Sequence, residues 1–404
     1  MLQFRGAFAT LALSIVGSAV LPVPYAFRCT GVGLGSALAL SVALANVYTC
    51  ELMLRAVAAT PEAALPREGL TYEALARVSI GSRGRSLARA GLVTLLAGSL
   101  SGNIIILVEV LNRAVVLAGL GHVDPKWVIL GVTPALLAAS LPRRLGQLER
   151  ASSAGVAILF VLATTVVVVG AVRGLPALRG GSGRAAEPWV AIGPRTPSAV
   201  GVLGYAMYLH PQLMPTLADM APGKAGIVTA TSAARATVCF AVVLYIFVGT
   251  FGFGAYGDST ERDILDNLAG VDEGAGHAQK STVVALMMAT TAYLALGFPM
   301  ALLPLRESIE QIFWPADELS TEVVRWHAAR NVGVTSTLVV GSAVVAWVLP
   351  SSAGEIVFAF TGATGACGSR PHILRASRGA RPVARRTERV CALRRPGADP
   401  AHVT

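Results

Sequence analysis

The spacing of polar positions along this chain predicts its architecture. Nine stretches carry no Asp, Glu, Lys or Arg: 6–27, 29–50, 90–108, 127–142, 151–172, 196–218, 236–257, 281–305 and 331–354. Most are 19 to 25 residues long, and about 20 apolar residues cross roughly 30 Å of hydrocarbon as an α-helix. A tenth charge-free stretch, 356–369, has only 14 residues. The alternation in ten-residue blocks that marks a transmembrane β-barrel is absent. The pattern predicts an all-α polytopic membrane protein. Its spans are expected near 6–27, 31–50, 90–112, 127–142, 151–172, 197–218, 236–257, 281–305 and 331–349, with a partial tenth at 354–367.

Two of these spans are built to break. The first carries Gly17-Ser18-Ala19-Val20-Leu21-Pro22-Val23-Pro24-Tyr25, and two prolines two apart cannot sustain a continuous hydrogen-bond ladder. The sixth has Gly201 and Gly204, then His210-Pro211 and Pro215. In hydrocarbon, freed backbone groups are tolerated where they pack in protein or line a polar cavity. Matching breaks in spans one and six are what an inverted repeat of five spans plus five produces; two ordinary proline kinks are the plainer alternative. Broken helices suit a zwitterion, because a half-helix N-terminus attracts a carboxylate and unwound carbonyls accept an ammonium or a cation.

Composition closes other classes. Of 404 residues, 54% are hydrophobic and only 14% charged, against about a quarter charged in soluble domains, and the mean hydropathy is +0.62. The charged coat of a soluble enzyme is missing. There is no catalytic set and no Gly-rich phosphate loop ending in Lys-Ser/Thr, so no enzymatic activity, cofactor or nucleic-acid partner is expected. Cys29, Cys50, Cys239, Cys367 and Cys391 are odd in number and lack metal-type spacing. The net charge is +10, and the cluster Arg67, Arg77, Arg83, Arg85 and Arg89 puts the N-terminus in the cytoplasm by the positive-inside rule. Arg173, Arg179, Arg184 and Arg195 run against that bias on a long outer loop. A cleaved signal peptide at 7–19 is a rival reading of the N-terminus, weakened because the apolar run continues to Phe27.

Between the spans, Thr71 is placed to cap a short surface helix. Residues 173–196 read as an exposed linker. Asp258, Glu261, Asp263, Asp266, Asp272 and Glu273 make an acidic outer loop that reads as a solvated face. Glu109 and Arg113, four apart, suit an ion pair. Residues 370–404 hold nine arginines and no aromatic residue, a composition that does not fold.

The ordered motifs resemble those of the amino acid/auxin permease family, in its neutral amino acid transporter branches. They are Val16 to Phe27 in the first span, Thr71-Tyr72-Glu73-Ala74-Leu75 with Gly81, and Leu141-Pro142-Arg143-Arg144-Leu145. Further on come Gly204 to Pro211, Gly252 to Asp258 with Ile264-Leu265-Asp266-Asn267, and Pro299 with Pro304-Leu305-Arg306-Glu307. The resemblance covers roughly residues 4–366. It implies a LeuT-like fold of eleven helices, of which nine to ten are found here, forming a transporter domain at 1–369. It also implies secondary active transport of neutral amino acids across a lipid bilayer, driven by sodium or protons. A non-transporting amino acid sensor and an inactive truncated product remain alternatives.

On that reading, Gly17, Ser18, Ala19, Val20 and Leu21 hold the substrate's main chain, faced by Gly204, Tyr205, Ala206 and Met207. His210 is a candidate for carrying coupling protons, and Asn103, Thr290 and Thr291 are candidates for ion or pocket contacts. Tight small-residue packing, a kink-bound neutral histidine and helix–helix bonding explain the same residues without function. The family often has asparagines where Thr10 and Leu13 stand, and threonines where Ala295 and Gly297 stand. Leucine offers no oxygen to sodium, so the expectation is proton coupling or no working ion site. After Cys367 the family continues through an apolar tenth and eleventh helix. This chain turns polar there, as a lipid-binding polybasic tail or as sequence out of the family's frame.

Overall fold

Backbone facing lipid must satisfy its hydrogen bonds within its own segment, which leaves the helix as the expected element. The structure, a computed structural model, describes residues 2–61, 70–142, 148–178, 189–270, 277–314 and 324–349. Among them every regular element is helical: α1 (Phe4–Val16), α2 (Val23–Thr30), α3 (Val32–Ala59), α4 (Tyr72–Ile80), α5 (Ser82–Leu117), α6 (Pro125–Ala139), α7 (Glu149–Arg173), α8 (Thr196–Ala206), α9 (His210–Ala218), α10 (Lys224–Tyr256), α11 (Ile264–Ala269), α12 (His277–Phe313) and α13 (Val324–Val348).

Six of these, α3, α5, α7, α10, α12 and α13, are long and apolar enough to cross a membrane, and α1 with α2 adds a seventh crossing bent by 59°. α6 is apolar but only 15 residues long, with Pro134 inside it. α8 and α9 make the second interrupted pair. The expected partial span at 354–367 and the arginine-rich segment 370–404 lie outside the described residues.

The core is helix on helix, with α5 against α12 and α10 against α1, α2, α3 and α7. Two glycines of α10 set the approach of α2. A methyl group at Gly249 would stand 2.6 Å from the Phe27 ring, and one at Gly252 would stand 2.7 Å from Pro24. Small residues that let helices approach are a recurrent solution where lipid removes the hydrophobic drive for association.

Several expectations need correction. The helices outrun their charge-free windows: α3 continues nine residues past Cys50, through Glu51 and Arg55, to Ala59, and α5 starts at Ser82 rather than 90. A charge ends a hydrocarbon span but does not end a helix. Thr71 does cap α4, its Oγ1 accepting from the Ala74 N–H at 3.2 Å. That helix is not simply superficial, since Tyr72, Glu73 and Leu75 are buried and Ser308 of α12 donates to the Glu73 carboxylate. The linker is stitched down at its end: Trp189 O accepts from the N–H groups of Gly33 and Leu34, and Ala191 N–H donates to Thr30 O at 2.8 Å. The acidic loop is not uniformly solvated. Asp263 caps α11 through the Leu265 N–H at 2.9 Å, and Asp266 pairs with Arg113, which also holds Glu109 at 2.6 Å as the sequence suggested.

Candidate functional site

The α1–α2 break is made by backbone chemistry. Gly17 ends α1 at φ 31° and ψ −142°, a left-handed φ that glycine enters without a Cβ penalty. A single 3-10 turn, Gly17–Val20, then leads through Pro22 into α2. The α8–α9 break spans residues 207–209, and Pro211 stands second in α9. Each break exposes carbonyls that no helical N–H reaches.

Two tyrosines supply the missing donors. Tyr245 of α10 is fully buried. Its hydroxyl lies 3.0 Å from Ala206 O at the end of α8 and 3.1 Å from Ile15 O near the end of α1. One side chain therefore bridges both breaks. The Tyr293 hydroxyl of α12 donates to Gly17 O at 3.0 Å. Across the site, the Tyr205 hydroxyl lies 2.6 Å from Ser99 Oγ of α5, with Ser18 as a second hydrogen-bond partner. The first break, α5 and α8 are thus joined by hydroxyl contacts.

Between these elements lies a cavity of about 60 Å³. Its polar lining comes from Ser14, Ser18, Ser99, Asn103, Tyr205, Tyr208, Gln212 and Tyr293, and among the described residues no charged side chain lines it. Among the described residues no cluster of His, Cys, Asp and Glu could hold a metal ion.

The structure sorts the residues singled out from sequence. Gly17, Ser18, Ala19, Tyr205 and Asn103 line the cavity together. Val20 and Leu21 are buried beside the break but do not line it, and Leu21 O instead accepts from the Ile264 N–H. Gly204, Ala206 and Met207 are not in the wall either. Ala206 contributes the carbonyl that Tyr245 binds. His210 is buried next to the second break, but its Nε2 meets Thr49 Oγ1 of α3 at 2.7 Å and the cavity wall excludes it. Thr290 and Thr291 spend their hydroxyls on Leu286 O and Met287 O of their own helix. Leu13 lines the cavity and packs so closely on Gly155 that a methyl group there would stand 2.7 Å from Leu13 Cδ1.

Sequence reading missed Ser14, Tyr208, Gln212, Tyr245 and Tyr293. For the two buried tyrosines a signal existed, because a phenol inside an apolar span needs a polar partner. For Gln212 it was the amide itself, an uncommon side chain in a charge-free span.

Both ends of the bundle are tied. On the side of α11, Arg28 Nη1 donates to Thr260 O at 2.9 Å, beside the Glu109–Arg113–Asp266 ion cluster. On the opposite side, buried Arg306 donates to Pro142 O at 3.1 Å and to Thr335 Oγ1 at 3.2 Å. Gln311 bonds Thr71 at the head of α4.

Comparison with known proteins points one way. The family model described as "Transmembrane amino acid transporter protein" matches residues 2–368. The Arabidopsis thaliana amino acid transporter AVT6A is 26% identical over 90% of this chain and 78% of its own length. A second plant relative, AVT6E, is 23% identical over 89% of this chain and 72% of its own. Mouse solute carrier family 38 member 10 is 22% identical over 89% of this chain, which spans only 32% of that protein. Among solved structures, Mhp1, a nucleobase-cation-symport-1 family transporter in a closed conformation with bromovinylhydantoin bound, superposes with a TM-score of 0.63 at 12% identity. The match covers 88% of this chain and 75% of that one. The fold is therefore that of a known transporter class.

Proposed function

We propose, from the premise that this chain belongs to the transmembrane amino acid transporter family, that it moves neutral amino acids across a membrane by alternating access around the cavity between the two broken helices. The transporter domain spans 1–369, with its N-terminus cytoplasmic. Spans one to five and six to ten form the inverted repeat, with the breaks at equivalent places in each half.

The observation that carries this reading is a polar, charge-free cavity bounded by both breaks. A zwitterion needs no counter-charge there. Its carboxylate is received by backbone N–H groups near Gly17, Ser18 and Ala19, and its ammonium by neutral oxygens. A substrate with a charged side chain would have to enter this wall without a partner, at high cost.

Coupling is to protons rather than sodium. Buried Leu13 fills the space beside Gly155 and offers no oxygen, and Thr290 and Thr291 are committed to their own helix. His210, buried beside the second break and bonded to Thr49, is the titrating group of this proposal, acting on the cavity through its neighbours Pro211 and Gln212 rather than by contact. Of the remaining positions of the sodium pattern, Ala295 and Gly297 offer no side-chain oxygen.

The test is uptake into proteoliposomes holding the purified full chain, with an imposed pH gradient and sodium replaced by choline. Accumulation is expected without sodium, following the gradient. His210→Gln is expected to flatten the pH dependence while leaving exchange of labelled for unlabelled substrate intact. Strict sodium dependence would overturn the coupling proposal, and absence of any amino acid uptake would overturn the transport reading.

A further inference from the structure

Two side-chain amides in the cavity wall are half used. Gln212, on α9 just past the second break, is 3% exposed. Its Nε2 donates to Met300 O of α12 at 2.7 Å. That carbonyl is available for a specific reason. Pro304 stands four residues on inside α12 and has no N–H to close the helical bond. Asn103, on unbroken α5, likewise donates its Nδ2 to Leu294 O of α12 at 3.2 Å. In each case the partner is a carbonyl, which only accepts, so the amide's orientation is fixed with nitrogen toward α12. Gln212 Oε1 and Asn103 Oδ1 are left buried without a hydrogen-bond partner. A native fold rarely leaves two such acceptors in one small cavity without a donor that visits them.

Their places in the fold separate their tasks. Gln212 sits at a helix break, where main-chain groups common to every amino acid are received. Asn103 sits on a continuous helix one turn from Ser99, whose hydroxyl meets Tyr205, and faces whatever projects away from the breaks. The two carbonyls that hold the amides are six residues apart on α12, about 9 Å along its axis. The two amides are thereby anchored at different levels of α12.

We infer that Gln212 Oε1 accepts from the substrate's ammonium and Asn103 Oδ1 from a donor on its side chain, so that the site selects uncharged amino acids bearing a primary amide or hydroxyl over aliphatic ones of equal size. The inference rests on the transporter reading above and adds the residues that set its specificity. The physical basis is an asymmetry. A buried acceptor that an aliphatic substrate leaves unpaired penalises that substrate, which a difference in apolar contact between ligands of nearly equal size does not.

The experiment is binding of labelled glutamine and methionine, which are close in size, to the purified full chain in detergent. Wild type is expected to prefer glutamine by about tenfold or more. Asn103→Leu is expected to lower that ratio about tenfold, mainly by weakening glutamine. Asn103→Gln, which keeps the amide, is expected to restore part of it. Gln212→Met is expected to weaken both ligands alike and leave the ratio unchanged. Equal binding of the two ligands by wild type, or a ratio that Asn103→Leu does not move, overturns the inference. So does a Gln212→Met variant that discriminates like Asn103→Leu. Selective binding without uptake in proteoliposomes would overturn the transport reading alone and leave this one standing.

Discussion

Tyr245 gives the sharpest test of how the broken helices are held. Replacing it with Phe removes one oxygen and keeps the ring, so packing within α10 is unchanged. The lost hydroxyl lies 3.0 Å from Ala206 O and 3.1 Å from Ile15 O, both at helix ends inside the bundle. A hydroxyl has one proton, shared between these acceptors, so the direct loss is one hydrogen bond, about 1 kcal/mol net. The larger effect is on the carbonyls left without a donor in a dry interior, about 1–3 kcal/mol. If water enters to replace the hydroxyl, the lower figure applies. Because the same group bridges both breaks, the cost falls on their relative position and hence on substrate affinity, where 1–3 kcal/mol is about 5- to 150-fold. The assay is substrate binding and thermal unfolding of the full chain in one detergent, beside Tyr48→Phe at an exposed position. Tyr245→Phe is expected to lose both affinity and thermal stability while Tyr48→Phe keeps both. If Tyr245→Phe retains wild-type affinity and melting temperature, the argument that this hydroxyl organises the site fails.

Helix packing and the loops supply three more tests. Gly249→Ala should destabilise the protein by about 1–3 kcal/mol through overpacking, because the added methyl group meets the Phe27 ring at 2.6 Å; Phe27→Leu in the same background should recover part of the loss in a detergent melting assay. Burial pushes the Asp263 carboxyl up to about 6 from 3.8, against the lowering effect of its Leu265 N–H bond and of Arg113, with Glu109 adding to the rise. The folded state then binds more protons than the unfolded chain between those values, so this residue's contribution falls as pH rises from about 4 to about 6; Asp263→Asn should remove that slope from a plot of melting temperature against pH, and an unchanged slope would refute the assignment. Arg306→Met should strip Pro142 O and Thr335 of their donor at about 1–3 kcal/mol, read as faster labelling of a cysteine introduced at Ser140, which is buried in the parent; unchanged labelling would count against Arg306 as the tie at that end.

Much of this protein is legible along the chain. Absence of charge over about 20 residues is a local sum that no packing partner can alter, so an all-helical membrane protein is legible from it, and six helices with the bent α1–α2 pair are long and apolar enough to cross. Paired prolines remove N–H donors wherever they stand, so Pro22, Pro24 and Pro211 mark both interruptions by their positions alone. The opposed glycine, serine and tyrosine positions at 17–19 and 205 can likewise be placed near one cavity. What the chain does not carry is rotation. In a soluble helix the polar face marks the outside, but lipid and protein interior are both apolar, and α3, α5, α7 and α12 have no clear apolar stripe to say which side turns inward. Only tertiary packing therefore decided that Asn103 faces the cavity while Thr290 turns to its own backbone and His210 toward α3. It also brought Tyr245 to two helix ends some 40 and 230 residues away, and set Gln212 against the carbonyl that Pro304 releases. Those partners are joined by helix orientation and close approach, which depend on every neighbouring element at once and leave no periodic mark in the sequence.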